Sequence, residues 1–413
     1  MLKIERNVRK LAPLGTALLL SAFGATAAMA QDQAAPAAPA APTALSTPSF
    51  AGPLAANPNP FSVDTTDWLG DAGGKIYITG AVTGLAYWQS NPTHAAPGDA
   101  ASYMDLANAQ VDIQKTDGWL QFYVQAGEYS LPTLGQPYTK SDFATPANFG
   151  VVPVAYLKLQ GEGDFADFSL EGGKLPTLLG NEYLFTYENM NIERGLLWNI
   201  EPAVSRGIQV NYSNGPLTIS LSGNDGFYTN KINWFDGLVS YAITSADTLA
   251  FVGGANLGGH TGGPLNRGGD YTLTWTHTDG SWVFSPYVQL NTTPSYSVGT
   301  VKVIKSTNDW SGAILTSWSF DDNWKIAGRA EYETSSGNTS PAIPLTPALP
   351  GFFGPGSAAY SLTVTPSYQW KAFFARMDVS YTATSSGVNG YQFGTKFNSS
   401  NQTRLMFETG VLF

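Results

Sequence analysis

The chain of 413 residues holds 21 basic and 31 acidic residues, a formal net charge of −10, and no cysteine. This balance excludes a basic nucleic-acid footprint, and the missing thiols exclude cysteine catalysis, iron–sulfur clusters and Cys-based zinc sites. Charged residues make up 13% and aromatics another 13%, whereas soluble domains carry about 25% charge; low charge with many aromatics points to a chain in contact with a membrane.

Residues 1–30 begin with a positive stretch (Lys3, Arg6, Arg9, Lys10), continue with a short apolar run from Leu11 to Ala25 and end on Ala28-Met29-Ala30. This order predicts a cleaved secretory signal peptide. The apolar run is broken by Pro13 and Gly15 and falls short of the ~20 residues a spanning helix needs. Without this segment, which contributes one acidic residue (Glu5), the net charge moves from −10 to −13. Residues 31–73 form a linker and lead-in whose Pro/Ala-rich part, residues 31–60 (QDQAAPAAPAAPTALSTPSFAGPLAANPNP), is expected to be extended and periplasmic.

From residue 74 to 413 the apolar residues alternate with polar ones, and no 18-residue apolar run occurs. In WKIAGRAEYE (324–333), Trp324, Ile326, Gly328, Ala330 and Tyr332 alternate with Lys325, Arg329, Glu331 and Glu333. Period two sends these sets to opposite faces of a strand, whereas a helix would scatter both. The same pattern recurs in SLTVTPSYQW (361–370) and KAFFARMDVSYTAT (371–384). Sixteen strands are expected, near 75–88, 103–116, 118–128, 153–162, 165–175, 205–214, 216–223, 232–243, 247–257, 270–278, 282–291, 309–320, 323–334, 357–370, 372–384 and 402–413; fourteen to eighteen are compatible with the pattern.

The connections alternate in length. Short ones include Thr116-Asp117-Gly118, Asn214-Gly215-Pro216 and Asp321-Asp322-Asn323; long ones fall near 89–102, 129–152, 176–204, 224–231, 258–269, 292–308, 335–356 and 385–401. Asp-Gly and Asn-Gly suit tight hairpins. Alternating short turns and long loops are what an up-and-down transmembrane β-barrel requires and a Greek-key sandwich does not. Phe320, Trp282, Trp324 and Trp370 sit beside short turns, and Trp88 and Trp310 near long loops, which matches two interfacial girdles. The last strand ends on Phe413 at the C-terminus, the form of signal that bacterial barrels present to their assembly machinery.

One stretch points to a family. Residues 179–233 hold Gly180, Glu182, Asn189, Arg194, Glu201-Pro202, Gly207 and Asn224-Asp225-Gly226, and the chain closes with Glu408, Gly410 and Phe413. In these features the chain resembles the OmpL-like β-barrel porins over roughly residues 68–413. The resemblance implies a channel in the bacterial outer membrane and no particular solute.

A barrel of this size leaves an aqueous lumen, so loops and wall charges are the candidate site. The 176–204 loop, with Glu182, Glu188, Glu193, Arg194 and Glu201 and with Arg206 opening the next strand, is the candidate for a pore constriction; the 129–152 loop is its competitor. Strand alternation places Lys75, Asp112, Lys158, Glu162, Glu171, Arg329, Glu331, Glu333, Arg376, Asp378, Arg404 and Glu408 on the polar, lumen-facing wall. Arg or Lys facing lipid would cost ~2–4 kcal/mol at the midplane. Tyr77, Tyr123, Tyr156 and Trp234 are candidates for an aromatic track.

The only histidines are His94, His260 and His277, and none lies in a metalloprotease or nucleophile motif. No enzyme activity, metal or cofactor is expected. The expected partners are outer-membrane lipid, the barrel-assembly machinery at Phe413, and small polar solutes or ions; the sequence is compatible with a homo-oligomer and carries no signature of one. Two readings stand: a porin for passive diffusion of small hydrophilic solutes with mild cation preference, or a plugged, structural barrel whose long loops bind a partner.

Overall fold

A computed structural model describes residues 52–56, 60–258, 265–298, 300–304, 306–336, 353–354 and 356–413. The expected signal peptide, most of the expected linker and His260 lie outside the described residues. Sixteen antiparallel strands form the barrel: β1 Lys75–Gln89, β2 Ser102–Lys115, β3 Leu120–Tyr129, β4 Val154–Gln160, β5 Phe168–Pro176, β6 Val204–Asn214, β7 Leu217–Asn224, β8 Trp234–Ala242, β9 Asp247–Asn256, β10 Gly269–Asp279, β11 Trp282–Thr293, β12 Thr307–Ser319, β13 Trp324–Ser335, β14 Ala358–Trp370, β15 Phe373–Thr384 and β16 Asn401–Leu412. Each of the sixteen expected strands is found, with ends shifted by three residues at most.

Every strand pairs with its chain neighbours, and β16 closes on β1 from Arg404↔Gln89 to Leu412↔Ala81. Phe413 and Gly80 exchange backbone hydrogen bonds of 3.0 and 2.8 Å below that ladder. Further down, where β16 has ended, the short strand Phe61–Asp64 pairs with the first residues of β1. The seam is therefore occupied along its whole length, which leaves no exposed edge. Chain entry, chain end and the short turns lie at one end of the barrel, and the long loops at the other.

Tight turns form where the sequence supplies the needed conformers. Gly215 and Gly280 take φ of 56° and 51°, the left-handed region that glycine enters without a Cβ penalty. At the β12–β13 turn, Asp321 Oδ1 accepts the N–H groups of Trp324 (2.7 Å) and Asn323 (2.8 Å). Those two bonds hold its carboxyl below the usual carboxylate range.

Burial is inverted relative to a water-soluble sheet. In β13, Arg329, Glu331 and Glu333 are buried while Ala330 and Tyr332 are exposed. The same holds in β14, where Thr363 and Thr365 are fully buried and Leu362 is 56% exposed. Apolar side chains outside and polar ones inside describe a barrel whose solvent is lipid. Exposed aromatics mark both rims: Trp282, Trp318, Phe320, Trp324, Trp370 and Phe373 beside the short turns, and Trp88, Trp310, Tyr332 and Tyr360 towards the long loops. No helix among the described residues is long and apolar enough to cross a membrane; the strands make the crossing.

Candidate functional site in the barrel lumen

The 177–203 connection between β5 and β6 does not project from the barrel. It packs against the inward faces of strands on both sides. Leu184, Phe185 and Tyr187 share an apolar cluster with Tyr123, Val154, Tyr156 and Leu175 on β3–β5. Met190, Leu196 and Leu197 share another with Tyr287, Ala313, Leu315, Ala327 and Ala359 on β11–β14. Local chemistry shapes the segment. Asn189 Oδ1 accepts the Tyr183 N–H (2.7 Å), while its Nδ2 donates to the carbonyls of Tyr183 and Phe185. Glu188 accepts the Phe185 N–H at 2.9 Å and closes a single 3-10 turn. The 130–153 connection joins it: Leu134 N–H donates to the Arg194 carbonyl and Arg194 N–H to that of Pro132. The two loops proposed as competitors thus pair with each other.

Three wall arginines seat the segment. Arg329 on β13 donates from Nη1 to Glu182 Oε1 and to the Glu193 carbonyl, both at 2.6 Å. Arg376 on β15 binds Glu408 Oε2 through Nε and Nη2 (2.9 and 2.8 Å) and also the carbonyls of Asn189 and Thr186. Arg404 on β16 pairs with Glu193 and binds Gln89 Oε1 at 2.9 Å. Their carboxylate partners are tied in turn. Asp378 accepts the Glu193 N–H (2.9 Å) and Thr365 Oγ1–H (2.6 Å), and Glu408 accepts from Thr83 and Thr186. Glu331 lies 3.2 Å from Arg329 Nε and accepts from Ser361. All of these side chains are buried. Such pairs add little net stability, but losing one partner strands a buried charge at a cost of roughly 3–5 kcal/mol.

The glycines of the segment fit the same seat. Gly180 has φ of +82°, and a Cβ there would meet Glu201 Oε2 at 1.8 Å. A Cβ on Gly195 would meet Glu331 Oε1 at 2.0 Å. The Gly and Glu positions are therefore a matched set. At Gly195 the carboxylates of Glu331 and Glu182 reach Arg329 because the backbone beside them has no side chain, whereas Glu201 beside Gly180 has no ion pair among the described residues.

Away from the arginines the wall is acidic. Asp236 on β8, Asp270 on β10, Asp309 on β12 and Glu333 on β13 are buried and inward. None has a cation within 4.0 Å among the described residues. Amides face two of them: Asn224 Nδ2 donates to Asp236 at 3.0 Å, and Gln289 lies 3.5 Å from Asp270. The aspartates at 236, 270 and 309 escaped the sequence reading, although each sits at an inward position of its strand and alternation alone would have found it.

The remaining expected wall residues divide. Asp112 is inward and accepts from Tyr123 Oη at 3.1 Å, and Lys158 faces Glu171 across the β4–β5 ladder at 3.8 Å. Lys75 is exposed at the first position of β1, and Glu162 lies beyond the end of β4 in an exposed turn. Glu188, Arg194 and Glu201 are buried in the loop segment, with Arg194 binding the carbonyls of Leu184 and Pro132. Arg206 is the correction. It shares the outward parity of Ile208 and Val210 on β6 and binds Asn230 in the next long loop, outside the lumen. The sequence places Arg206 at the opening of the strand expected at 205–214 and groups it with the constriction; the strand is found, from Val204, and its parity turns Arg206 outward. Of the aromatic candidates, Tyr123 and Tyr156 pack at 5.8 Å beneath the loop, while Trp234 joins a separate cluster with Phe227.

The sequence from 75 to 413 matches the family described as beta-barrel porin-2, OmpL-like. This chain belongs to that family. No curated protein matches it. Among solved structures, it is similar to the anion-selective porin of Comamonas acidovorans (12% identity, TM-score 0.53, covering 82% of this chain and 99% of that one). It is also similar to OmpT of Vibrio cholerae (10%, 0.52, 82% and 98%) and to the outer membrane channel DcaP of Acinetobacter baumannii (8%, 0.52, 82% and 97%). At these identities the likeness is one of fold. Family and fold together make this a porin-like barrel of the bacterial outer membrane. Among the described residues no group of three or more His, Asp or Glu side chains could hold a metal ion.

Proposed function

We propose that this OmpL-like barrel is a water-filled channel for passive diffusion of small hydrophilic solutes or ions, constricted by the 177–203 segment and mildly cation-selective. One observation carries the reading. The interior arginines are bound to loop carboxylates and carbonyls, whereas Asp236, Asp270, Asp309 and Glu333 face inward without a cationic partner among the described residues. The charge left to attract a permeating ion is therefore negative. Rings or arcs of carboxylates raise the local cation concentration and repel anions.

Single-channel recording of the mature protein in a planar bilayer under a salt gradient tests this. Stable conductance steps with a cation-sided reversal potential are expected, and deletion of 183–198 is expected to raise the unitary conductance. The second reading, a plugged or structural barrel with partner-binding loops, rests on the dense seating of the same segment. Absence of steps from a correctly folded, heat-modifiable barrel would favour it.

A further inference from the structure

Two strand cations point the wrong way for a pore wall. Lys174 on β5 and Arg206 on β6 stand directly opposite each other in register, on the outward face, at the long-loop end. Like charges opposed across a ladder repel, and cations on the lipid face are tolerated only near the interface. Among the described barrel-strand residues, the only other outward cation is Lys115, which folds back onto Asp117 and the Leu120 carbonyl beside a short turn.

Here the cations are held in place rather than dispersed. Lys174 Nζ donates to the carbonyls of Phe149 (3.0 Å) and Val152 (2.6 Å). Arg206 donates to Asn230 Oδ1 at 2.8 Å. Tyr228 sits against both, its ring centroid 3.7 Å from the guanidinium and 5.5 Å from the ammonium. Among the described residues the only carboxylate paired with Arg206 is Asp225, 3.8 Å from the guanidinium and already accepting the Arg206 N–H, and no salt bridge joins Lys174 to a described residue. Lys231, exposed in the adjoining loop, adds a third positive charge.

Below the pair the outward face is built for a hydrocarbon chain. Ile208, Val210 and Leu170 are 61%, 45% and 41% exposed. Gly172 and Gly223, each paired with Ile208 on either side, leave nearly open space where a side chain would stand. The Phe168–Tyr212 ring pair closes the column at the other rim. We infer that Lys174, Arg206 and Tyr228 form a binding site for the phosphate of an outer-leaflet lipid, with an acyl chain lying in the shallow groove beside Ile208.

The test uses the full mature protein in detergent. It is offered short-chain phosphatidic acid, diacylglycerol of the same chains, or inorganic phosphate, with retention read by native mass spectrometry. Phosphatidic acid is expected to be retained at least about fivefold more than diacylglycerol, and the K174Q/R206Q double variant is expected to lose that preference. The charge-retaining K174R/R206K variant, checked for heat-modifiability, is expected to keep it. Equal retention of both lipids, or an unchanged preference in the double variant, would overturn the inference. So would displacement of phosphatidic acid by equimolar inorganic phosphate, because the site would then be one for the free ion.

Discussion

At the residue scale, the interior is held by charges that have few alternatives. Arg329 has Glu182 on one side and Glu331 on the other, all inaccessible to water. Arg329→Met keeps much of the volume and strands both carboxylates. Its expected cost is roughly 3–5 kcal/mol, read as a lower urea midpoint for the refolded barrel in vesicles. Gly180→Ala acts on the same seat by a different route, because its Cβ must displace the Glu201 carboxylate and its backbone holds φ of +82°. Its expected result is a loosened segment, seen as protease cleavage within 177–203 in an otherwise intact barrel. The contrast with Arg206 is instructive: its charge, its neighbours in sequence and its nearness to the loop all suggested the lumen. Parity with Ile208 and Val210 was the stronger signal, since a one-residue shift reverses which face a strand residue occupies.

At the element scale, the strands were largely legible, because alternation, turn chemistry and loop length all agreed. Local preference and global architecture ask for the same thing in a barrel of this kind. Strand β4 is the instructive miss at its end. The sequence reading ran it to 162, but Gly161 and Gly163 introduce a 3-10 turn, and Glu162 leaves the wall. The inward loop was readable only as a choice between 129–152 and 176–204. Its seat is made of contacts to residues more than a hundred positions away, such as Glu182 to Arg329 and Glu193 to Arg404, which no local pattern encodes. Alternation also makes a clean prediction. Val364 faces lipid in the middle of β14, so Val364→Arg is expected to lower stability in bilayers by about 2–4 kcal/mol. Equilibrium unfolding in vesicles measures this, and a cost near zero would place the outward face of β14 in water.

At the scale of the whole molecule, the question is where net charge is left once the pairs are counted. The wall arginines lie on β13, β15 and β16 and are matched by loop and wall carboxylates, while Arg194 of the inward segment is bound to the carbonyls of Leu184 and Pro132. The arc from β8 through β12 carries aspartates with amide and hydroxyl neighbours instead. An ion crossing the lumen would therefore meet a neutralised side and an acidic side. Neutralising the acidic side alone separates this account from one in which overall charge matters. The D236N/D270N/D309N variant keeps side-chain size and every arginine pair. Its reversal potential under a salt gradient is expected to move towards zero while heat-modifiability is preserved. A matched variant that removes three exposed carboxylates, at Asp67, Asp164 and Asp322, changes net charge by the same amount away from the lumen and is expected to leave the reversal potential in place. If both variants shift it equally, the field is that of the whole protein; if neither does, the permeating ion passes away from the aspartate arc.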